Sequence, residues 1–234
     1  MLEIEKLNQY YGQSHILRDI DIEVPEGECT CIIGRNGVGK TTLLKSIMGI
    51  VKSSSQSFSY RGQSLANSAV EDRAYQGIAY VPQGRQIFPL LSVEENLRIG
   101  LPVRRASKGG DKTIPEVVYE LFPVLRAMSH RRGGDLSGGQ QQQLAIGRAL
   151  VMSPSLLILD EPTEGIQPNI VYEITEIIRR LNKEWGLTVL VVEQKLNLIK
   201  ILADHFILLE RGACVAKGCG DELTEKLIKD YLSV

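Results

Sequence analysis

The segment that most constrains the fold of this chain is a glycine-rich sequence near its N-terminus. Residues 34–41 read Gly-Arg-Asn-Gly-Val-Gly-Lys-Thr, which satisfies every fixed position of the pattern G-x-x-x-x-G-K-[ST]. The run Cys29–Ile33 precedes this segment, and a helix-like stretch at 42–48 follows it. Because strand, glycine loop and helix occur in this order, the sequence predicts a phosphate-binding loop in an α/β core rather than a chance glycine turn.

Each residue type in this loop suits the binding of a polyphosphate. The glycines let backbone N–H groups point inward, and the helix that follows adds the positive end of its dipole. Lys40 brings a charge to the β- and γ-phosphates of such a ligand, and Thr41 offers a hydroxyl to Mg²⁺. The predicted nucleotide-binding residues of this segment are Gly34, Arg35, Asn36, Gly37, Val38, Gly39, Lys40, Thr41 and Thr42.

Composition excludes several classes of protein. The chain has 234 residues and a net charge of -1, so it lacks the global basic field that would hold nucleic acid or anionic lipid. Its apolar runs are far shorter than the ~20 residues of a membrane-spanning helix, and its acidic N-terminus does not fit a secretory signal. We therefore expect a cytoplasmic protein that serves a membrane, if at all, from the cytosolic side.

Apolar runs predict an α/β fold with two kinds of strand. The later runs are continuously apolar, as in a parallel sheet that is covered on both faces, whereas the early ones alternate and favour antiparallel pairing. An amphipathic helix at 170–181 would connect two of the parallel strands. The predicted strands are 2–7, 20–24, Cys29–Ile33, 77–81, 156–159, 189–192 and 206–209.

The middle of the chain has a different pattern from the sheet regions. Helical patches at 93–99 and 116–126 flank the polar stretch 104–111, for which we predict an exposed loop. We expect one domain over residues 1–234, with a mostly helical subdomain of about 87–150 inserted into it. Two shorter segments are predicted as a polar loop at 53–57 and a closing helix at 222–232.

Two adjacent carboxylates follow the apolar run at 156–159. Asp160 can hold Mg²⁺ through its water shell, and Glu161 can polarise the water that attacks a γ-phosphate. Alone, a strand that ends in Asp-Glu is commonly just a solvated strand end. Because the same chain carries the phosphate-binding loop, we favour the catalytic interpretation.

A second anion-binding sequence precedes the helix predicted at 141–151. Ser137, Gly138, Gly139 and Gln140 combine a hydroxyl, two glycines and the free N–H groups of a helix N-terminus. With this motif the whole chain resembles the ATP-binding-cassette (ABC) ATPases. The resemblance implies a P-loop NTPase core with a mostly parallel sheet, an antiparallel β subdomain and an inserted helical subdomain. It also implies that Ser137 and Gly139 of one subunit close over the γ-phosphate held by Lys40 of another.

The resemblance assigns roles to further residues and shows two departures. Tyr11 matches the aromatic residue that stacks on adenine, with Tyr10 as a rival, and Gln83 matches the glutamine that reaches Mg²⁺ and reports to the membrane subunit. Gln194 replaces the usual histidine, and its amide can bind a γ-phosphate oxygen but cannot carry a proton. Gln167 replaces the usual aspartate. Both departures argue against two equally active sites in a symmetric pair.

Short strings around Gln83, Gln167 and Gln194 resemble the ATPases of importers for branched-chain amino acids and urea, with the urea type more similar. This implies a Mg-ATP-hydrolysing subunit on the inner face of the cell membrane, docked near 83–97 under two membrane-spanning permease subunits. A second ATPase, related or identical, would complete an ATP sandwich, and a periplasmic binding protein would act indirectly. The expected solute is urea or a short amide, with branched-chain amino acids as the alternative.

Other functional classes fit the sequence less well. An ABC-type ATPase of nucleic-acid machinery would need a long coiled coil or a second cassette, and the sequence has neither. A metabolite-binding switch without hydrolysis is the remaining alternative, and Glu161 argues against it. An exporter with a fused membrane domain is excluded because the chain has no apolar segment long enough to span the bilayer.

Overall fold

The computed structural model describes residues 1–108, 112–224 and 227. The strands in these residues are β1 Leu2–Tyr11, β2 Ser14–Val24, β3 Cys29–Ile33, β4 Ser53–Ser54, β5 Ser57–Tyr60, β6 Gln63–Ser64, β7 Ile78–Val81, β8 Leu156–Asp160, β9 Thr188–Val192, β10 His205–Glu210 and β11 Ala213–Cys219. The helices are α1 Lys40–Ile47, α2 Val70–Tyr75, α3 Val93–Arg98, α4 Leu101–Lys108, α5 Glu116–Leu121, α6 Pro123–Ala127, α7 Gly138–Val151, α8 Pro168–Lys183 and α9 Leu196–Leu202, with 3-10 turns at Gly133–Asp135 and Gly220–Glu222.

The larger sheet has the strand order β11-β10-β3-β9-β8-β7. All its neighbouring strands are parallel except β10 and β11, and every residue of β3, β8 and β9 is buried. This confirms the parallel core predicted from the continuous apolar runs. The register places Val192 opposite both Ile32 and Asp160, and Val81 opposite Leu159. The carboxyl ends of β3, β9, β8 and β7 therefore meet at one edge of the sheet.

The smaller sheet is antiparallel, with the order β2-β1-β5-β6 and with β4 paired to β1. Helix α1 lies between the two sheets, where Leu43, Leu44 and Ile47 pack in one apolar cluster with residues of both. This packing fixes α1 directly behind the glycine-rich loop. The position of the loop is therefore set by burial on both sides of the helix that follows it.

Helices α3 to α7 occupy the chain between β7 and β8. They join the core that covers the other face of the larger sheet, and the contact between helices is close at Gly147 in α7. A Cβ atom added there would lie 3.0 Å from Leu125 Cδ1. The segment is helical as predicted, and the subdomain boundaries of 87–150 stay a prediction. Within the described part of the chain, no helix is both long and apolar enough to cross a membrane.

The structure corrects two local predictions and adds elements that the sequence did not reveal. Helix α4 continues through Lys108, so residues 104–108 are not a loop, and 109–111 lie outside the described residues. Residues 53–54 pair with β1 instead of forming a free loop, because the backbone groups of β1 are available there. The predicted helix at 222–232 begins in a 3-10 turn and then falls largely outside the described residues. Strand β11 was missed because it lacks apolar alternation.

Candidate functional site

The glycine-rich loop leads from β3 into α1, which begins at Lys40. Gly39 caps this helix with φ 106, a conformation that favours glycine. A Cβ atom at Gly39 would also lie 2.9 Å from Leu17 Cδ2, so a side chain there would have to displace Leu17. The first N–H groups of α1, which have no partner inside the helix, are thereby kept available for an anion.

Lys40 lies across this loop with only 5% of its surface exposed. Its Nζ atom donates hydrogen bonds of 2.8 Å to the carbonyl oxygens of Gly34 and Arg35, and lies 3.7 Å from Glu161 Oε1. Burial lowers the pKa of Lys40, and the charges of the nearby carboxylates oppose this shift. The ammonium group is therefore held between the loop and the carboxylate predicted to be catalytic.

Asp160 is the last residue of β8 and contacts two hydroxyl groups. Its Oδ1 accepts a hydrogen bond of 3.3 Å from Thr41 Oγ1, and its Oδ2 accepts one of 3.3 Å from the hydroxyl of Tyr80. Burial raises the pKa of Asp160, while these two hydrogen bonds oppose the shift. The Thr41 and Asp160 oxygens suit Mg²⁺, which prefers oxygen ligands and would stabilise the ionised carboxylate. Tyr80 was not predicted from the sequence, although its hydroxyl is the only polar side-chain group in the apolar strand β7.

Glu161 has an unusual backbone conformation. Its φ of 49 lies in the left-handed region, which costs a residue other than glycine about 1–3 kcal/mol. Its N–H donates a 3.0 Å bond to the carbonyl oxygen of Val192, which anchors the turn to β9. The sheet therefore holds Glu161 in a strained conformation at the edge where the four strands end.

Two glutamine side chains contact the carboxylate of Glu161. Gln194 donates from Nε2 to Glu161 Oε1 at 2.6 Å and to Asn36 Oδ1 at 2.7 Å. Gln83 donates from Nε2 to Glu161 Oε2 at 3.4 Å and to Glu164 Oε2 at 2.8 Å. The structure thus brings both glutamines to the carboxylate predicted to be catalytic, and the role of Gln83 toward Mg²⁺ stays a prediction.

A cavity of about 400 Å³ lies over the loop, and its lining brings together half of the predicted site residues. Tyr11 lines this cavity and is 48% exposed, whereas the ring of Tyr10 stacks on His15 with 4.1 Å between centroids. This geometry favours Tyr11 over Tyr10 as a surface for adenine. The lining residues are Tyr11, Ile16, Asn36, Gly37, Gly39, Lys40, Thr41, Thr42, Gln83 and Glu161.

The second predicted anion site lies at the start of α7. Ser137 Oγ accepts a 3.4 Å bond from the N–H of Gln140, and Gln140 Oε1 accepts a 3.0 Å bond from the N–H of Ser137. Gly139 is required by packing, because a Cβ atom there would lie 2.8 Å from Ile170 Cγ2. Among the described residues that line the cavity over the loop, none comes from 137–140. The two surfaces predicted to bind anions are therefore separate within one chain.

Arg85 connects three parts of this region and was not predicted to do so. Its Nη2 atom donates a 3.2 Å bond to the carbonyl oxygen of Gly165. Its guanidinium also lies beside Gly138, where an added Cβ atom would be 3.0 Å from Nη2. The loop after β7, the start of α7 and the loop after Glu161 thus meet at one side chain. The sequence could not show this because the three segments are far apart in the chain.

Together, the parallel sheet, the glycine-rich loop and the strand-end carboxylates define a P-loop ATPase. The family model for the ABC transporter matches residues 17–164, and the chain belongs to this family. The expected ABC ATPase fold and ATPase activity coupled to transport are confirmed. Such ATPases associate with membrane permease subunits and dimerise.

Two relatives and two solved structures show how far the similarity extends. The high-affinity branched-chain amino acid transport ATP-binding protein BraG of Pseudomonas aeruginosa is 42% identical over 231 residues, covering 98% of each chain. The probable branched-chain amino acid transport ATP-binding protein LivF of Archaeoglobus fulgidus is 37% identical, covering 96% of this chain and 94% of the relative. These relatives do not support the urea-type assignment.

A nucleotide-free ATP-binding cassette from an ABC transporter superposes with a TM-score of 0.83 at 29% identity, covering 100% of this chain and 95% of that one. A dimeric cassette in a post-hydrolysis state with ADP and Pi superposes with a TM-score of 0.82 at 24% identity, covering 94% and 98%. At that identity the second likeness concerns the fold alone.

Proposed function

We propose that this chain is the Mg-ATP-hydrolysing subunit of a binding-protein-dependent importer for branched-chain amino acids. The observation that carries the hydrolytic part is the contact of Glu161 with both Lys40 and Gln194 at the edge of the sheet. The solute is inferred from two relatives whose names specify branched-chain amino acid transport. The urea-type solute expected from the sequence has no comparable support.

The contacts of Glu161 suggest how ATP prepares the site for hydrolysis. Lys40 and Gln194 are both donors, and both lie against the Glu161 carboxylate. The γ-phosphate of ATP carries more charge than a carboxylate, so it would compete for the same donors. Glu161 would then accept a hydrogen bond from the attacking water and act as the general base. Thr41 and Asp160 would hold Mg²⁺, which supplies charge neutralisation to the phosphates.

The separate surface at 137–140 supports a site shared between two subunits. Its N–H groups at the start of α7 would close on the γ-phosphate bound to the partner's loop. ATP contacts both subunits only in the closed state, so its binding free energy would drive closure, and hydrolysis would reverse it. Gln194 and Gln167 favour a pair of unequal ATPases, in which the partner is a related but distinct chain.

The loop after β7 is the proposed contact for the two membrane-spanning permease subunits. Within 83–97, Phe88 and Leu90 are 47% and 80% exposed, so this loop presents two large apolar side chains, two residues apart, to a partner. Arg148 of α7 contacts this loop twice. Its guanidinium carbon lies 5.3 Å from the Phe88 ring centroid, and its Nη2 atom donates a 2.8 Å bond to the carbonyl oxygen of Gln86. The subunit would act at the cytosolic face of the membrane, and a periplasmic binding protein would deliver the solute.

The transporter reconstituted with its second ATPase and its permeases tests this function. We expect ATP-dependent uptake of labelled leucine in preference to labelled urea. Glu161→Gln should retain ATP binding and lose turnover by ~10²–10⁴, the usual cost of removing a general base. Glu176→Gln is the matched control, because Glu176 is an exposed carboxylate on α8 that pairs with Arg179. Wild-type turnover in Glu161→Gln would refute the catalytic assignment, and uptake of urea alone would refute the solute.

A further inference from the structure

A buried carboxylate that the proposed mechanism does not use lies at the end of β9. Glu193 is 4% exposed, and both of its oxygens accept hydrogen bonds. Oε2 accepts a 2.6 Å bond from Thr163 Oγ1, and Oε1 accepts bonds of 2.8 and 3.1 Å from the N–H groups of Gln194 and Lys195. A buried carboxylate is costly unless it is hydrogen-bonded, so these three bonds are needed to keep Glu193 in its buried position.

Thr163 is held by the same segment through a second bond. Lys195 Nζ donates a 3.0 Å bond to the carbonyl oxygen of Thr163. Residues 193 and 195 therefore hold both the hydroxyl and the carbonyl group of Thr163. The N–H of Glu193 also lies 3.3 Å from the carbonyl oxygen of Ile32, at the end of the strand that leads to the glycine-rich loop.

These bonds join the two loops whose side chains meet at the catalytic carboxylate. Thr163 is two residues after Glu161, and Glu193 is next to Gln194. The Gln194 amide and the Glu161 carboxylate are 2.6 Å apart. The two residues lie on different loops, which follow β9 and β8, so their separation depends on how these loops are held together. A displacement of about 1 Å between reacting groups can reduce a rate ~10²-fold, so the separation of these loops matters for turnover.

We propose that Glu193 and Thr163 form a latch that holds the loop of Gln194 beside that of Glu161, so that the Gln194 amide is within reach of the γ-phosphate during ATP hydrolysis. Glu193 is suited to this task because each of its two carboxylate oxygens accepts hydrogen bonds from a different loop. The inference rests on the proposed function, since it gives Glu193 and Thr163 a positioning role in the same reaction.

The first test compares threonine variants in the full transporter. Thr163→Val removes the hydroxyl donor, and we expect kcat to fall ~10–100-fold, as for a misplaced catalytic pair, with little change in KM for ATP. Thr163→Ser returns the hydroxyl and should recover most of that loss. Thr175→Val is the matched control, because Thr175 is equally buried but its hydroxyl donates to Val171 within α8. Thermal unfolding of all three variants measures the purely structural effect.

A double-mutant cycle tests whether the latch acts through Gln194. In the Gln194→Ala background, Thr163→Val should reduce kcat by less than about twofold, because the side chain that the latch positions is already gone. If Thr163→Val lowers kcat by the same factor in the Gln194→Ala background as in wild type, the latch does not act through Gln194. Equal kcat values for Thr163→Val and Thr175→Val, with active wild type, would refute the latch alone. A wild-type transporter that does not hydrolyse ATP would refute the proposed function and the latch with it.

Discussion

Replacement of Gln194 gives the most specific prediction, because Gln194 lies where the family resemblance implies a histidine and contacts the carboxylate that we propose as the general base. Gln194→Ala removes the 2.6 Å bond to Glu161 and the 2.7 Å bond to Asn36. A hydrogen bond to a charged group contributes about 1.5–3 kcal/mol. If one such bond to the γ-phosphate is lost in the transition state, kcat falls ~10–150-fold, since each ~1.36 kcal/mol is tenfold.

Gln194→His should have the opposite effect. A protonated imidazole adds a full positive charge to the bond that the neutral amide makes with the γ-phosphate, and ~1.36 kcal/mol of added stabilisation in the transition state would raise kcat about 10-fold. We therefore expect the purified wild-type chain to hydrolyse ATP slowly by itself, and the histidine variant to be faster.

Steady-state phosphate release at saturating Mg-ATP measures these effects. Wild type, Gln194→Ala and Gln194→His are each assayed alone and with the partner ATPase. Gln63→Ala is the control for loss of an exposed glutamine, because Gln63 lies on the short strand β6 of the other sheet. An unchanged kcat in Gln194→Ala would show that this amide does not take part. Full activity of the wild-type homodimer, unaltered by histidine, would remove the argument for unequal ATPases.

Two further substitutions test the two anion-binding surfaces separately. Lys40→Ala removes the ammonium group from the loop, so ATP affinity measured by fluorescence should be lost while circular dichroism shows an intact fold; unchanged affinity would refute the phosphate-binding assignment. Ser137→Arg places bulk and charge at the start of α7, so the isolated subunit should still bind ATP but fail to pair with its partner in sedimentation with Mg-ATP. Unaffected pairing would contradict the shared site.

Local sequence was sufficient to predict the parts of the site that adjacent residues build. The glycines before Lys40 and the Asp160-Glu161 pair after an apolar run are constrained by their immediate neighbours in the chain. A strand, a glycine turn and a helix N-terminus together form an anion site whatever surrounds them. The continuous apolar runs and the short family motifs are also local in sequence. The runs therefore predicted the parallel core, and the motifs predicted the ABC family.

Only the tertiary structure determined which distant side chains meet. The contacts of Gln194 with Glu161, of Tyr80 with Asp160, and of Glu193 with Thr163 each join loops or strands that are separate in sequence. They depend on the order and register of β7, β8, β9 and β3, which backbone pairing between distant segments sets. A one-residue change in that register would point every side chain to the opposite face. The sequence therefore specified the residue types needed for catalysis, and the sheet decided their arrangement.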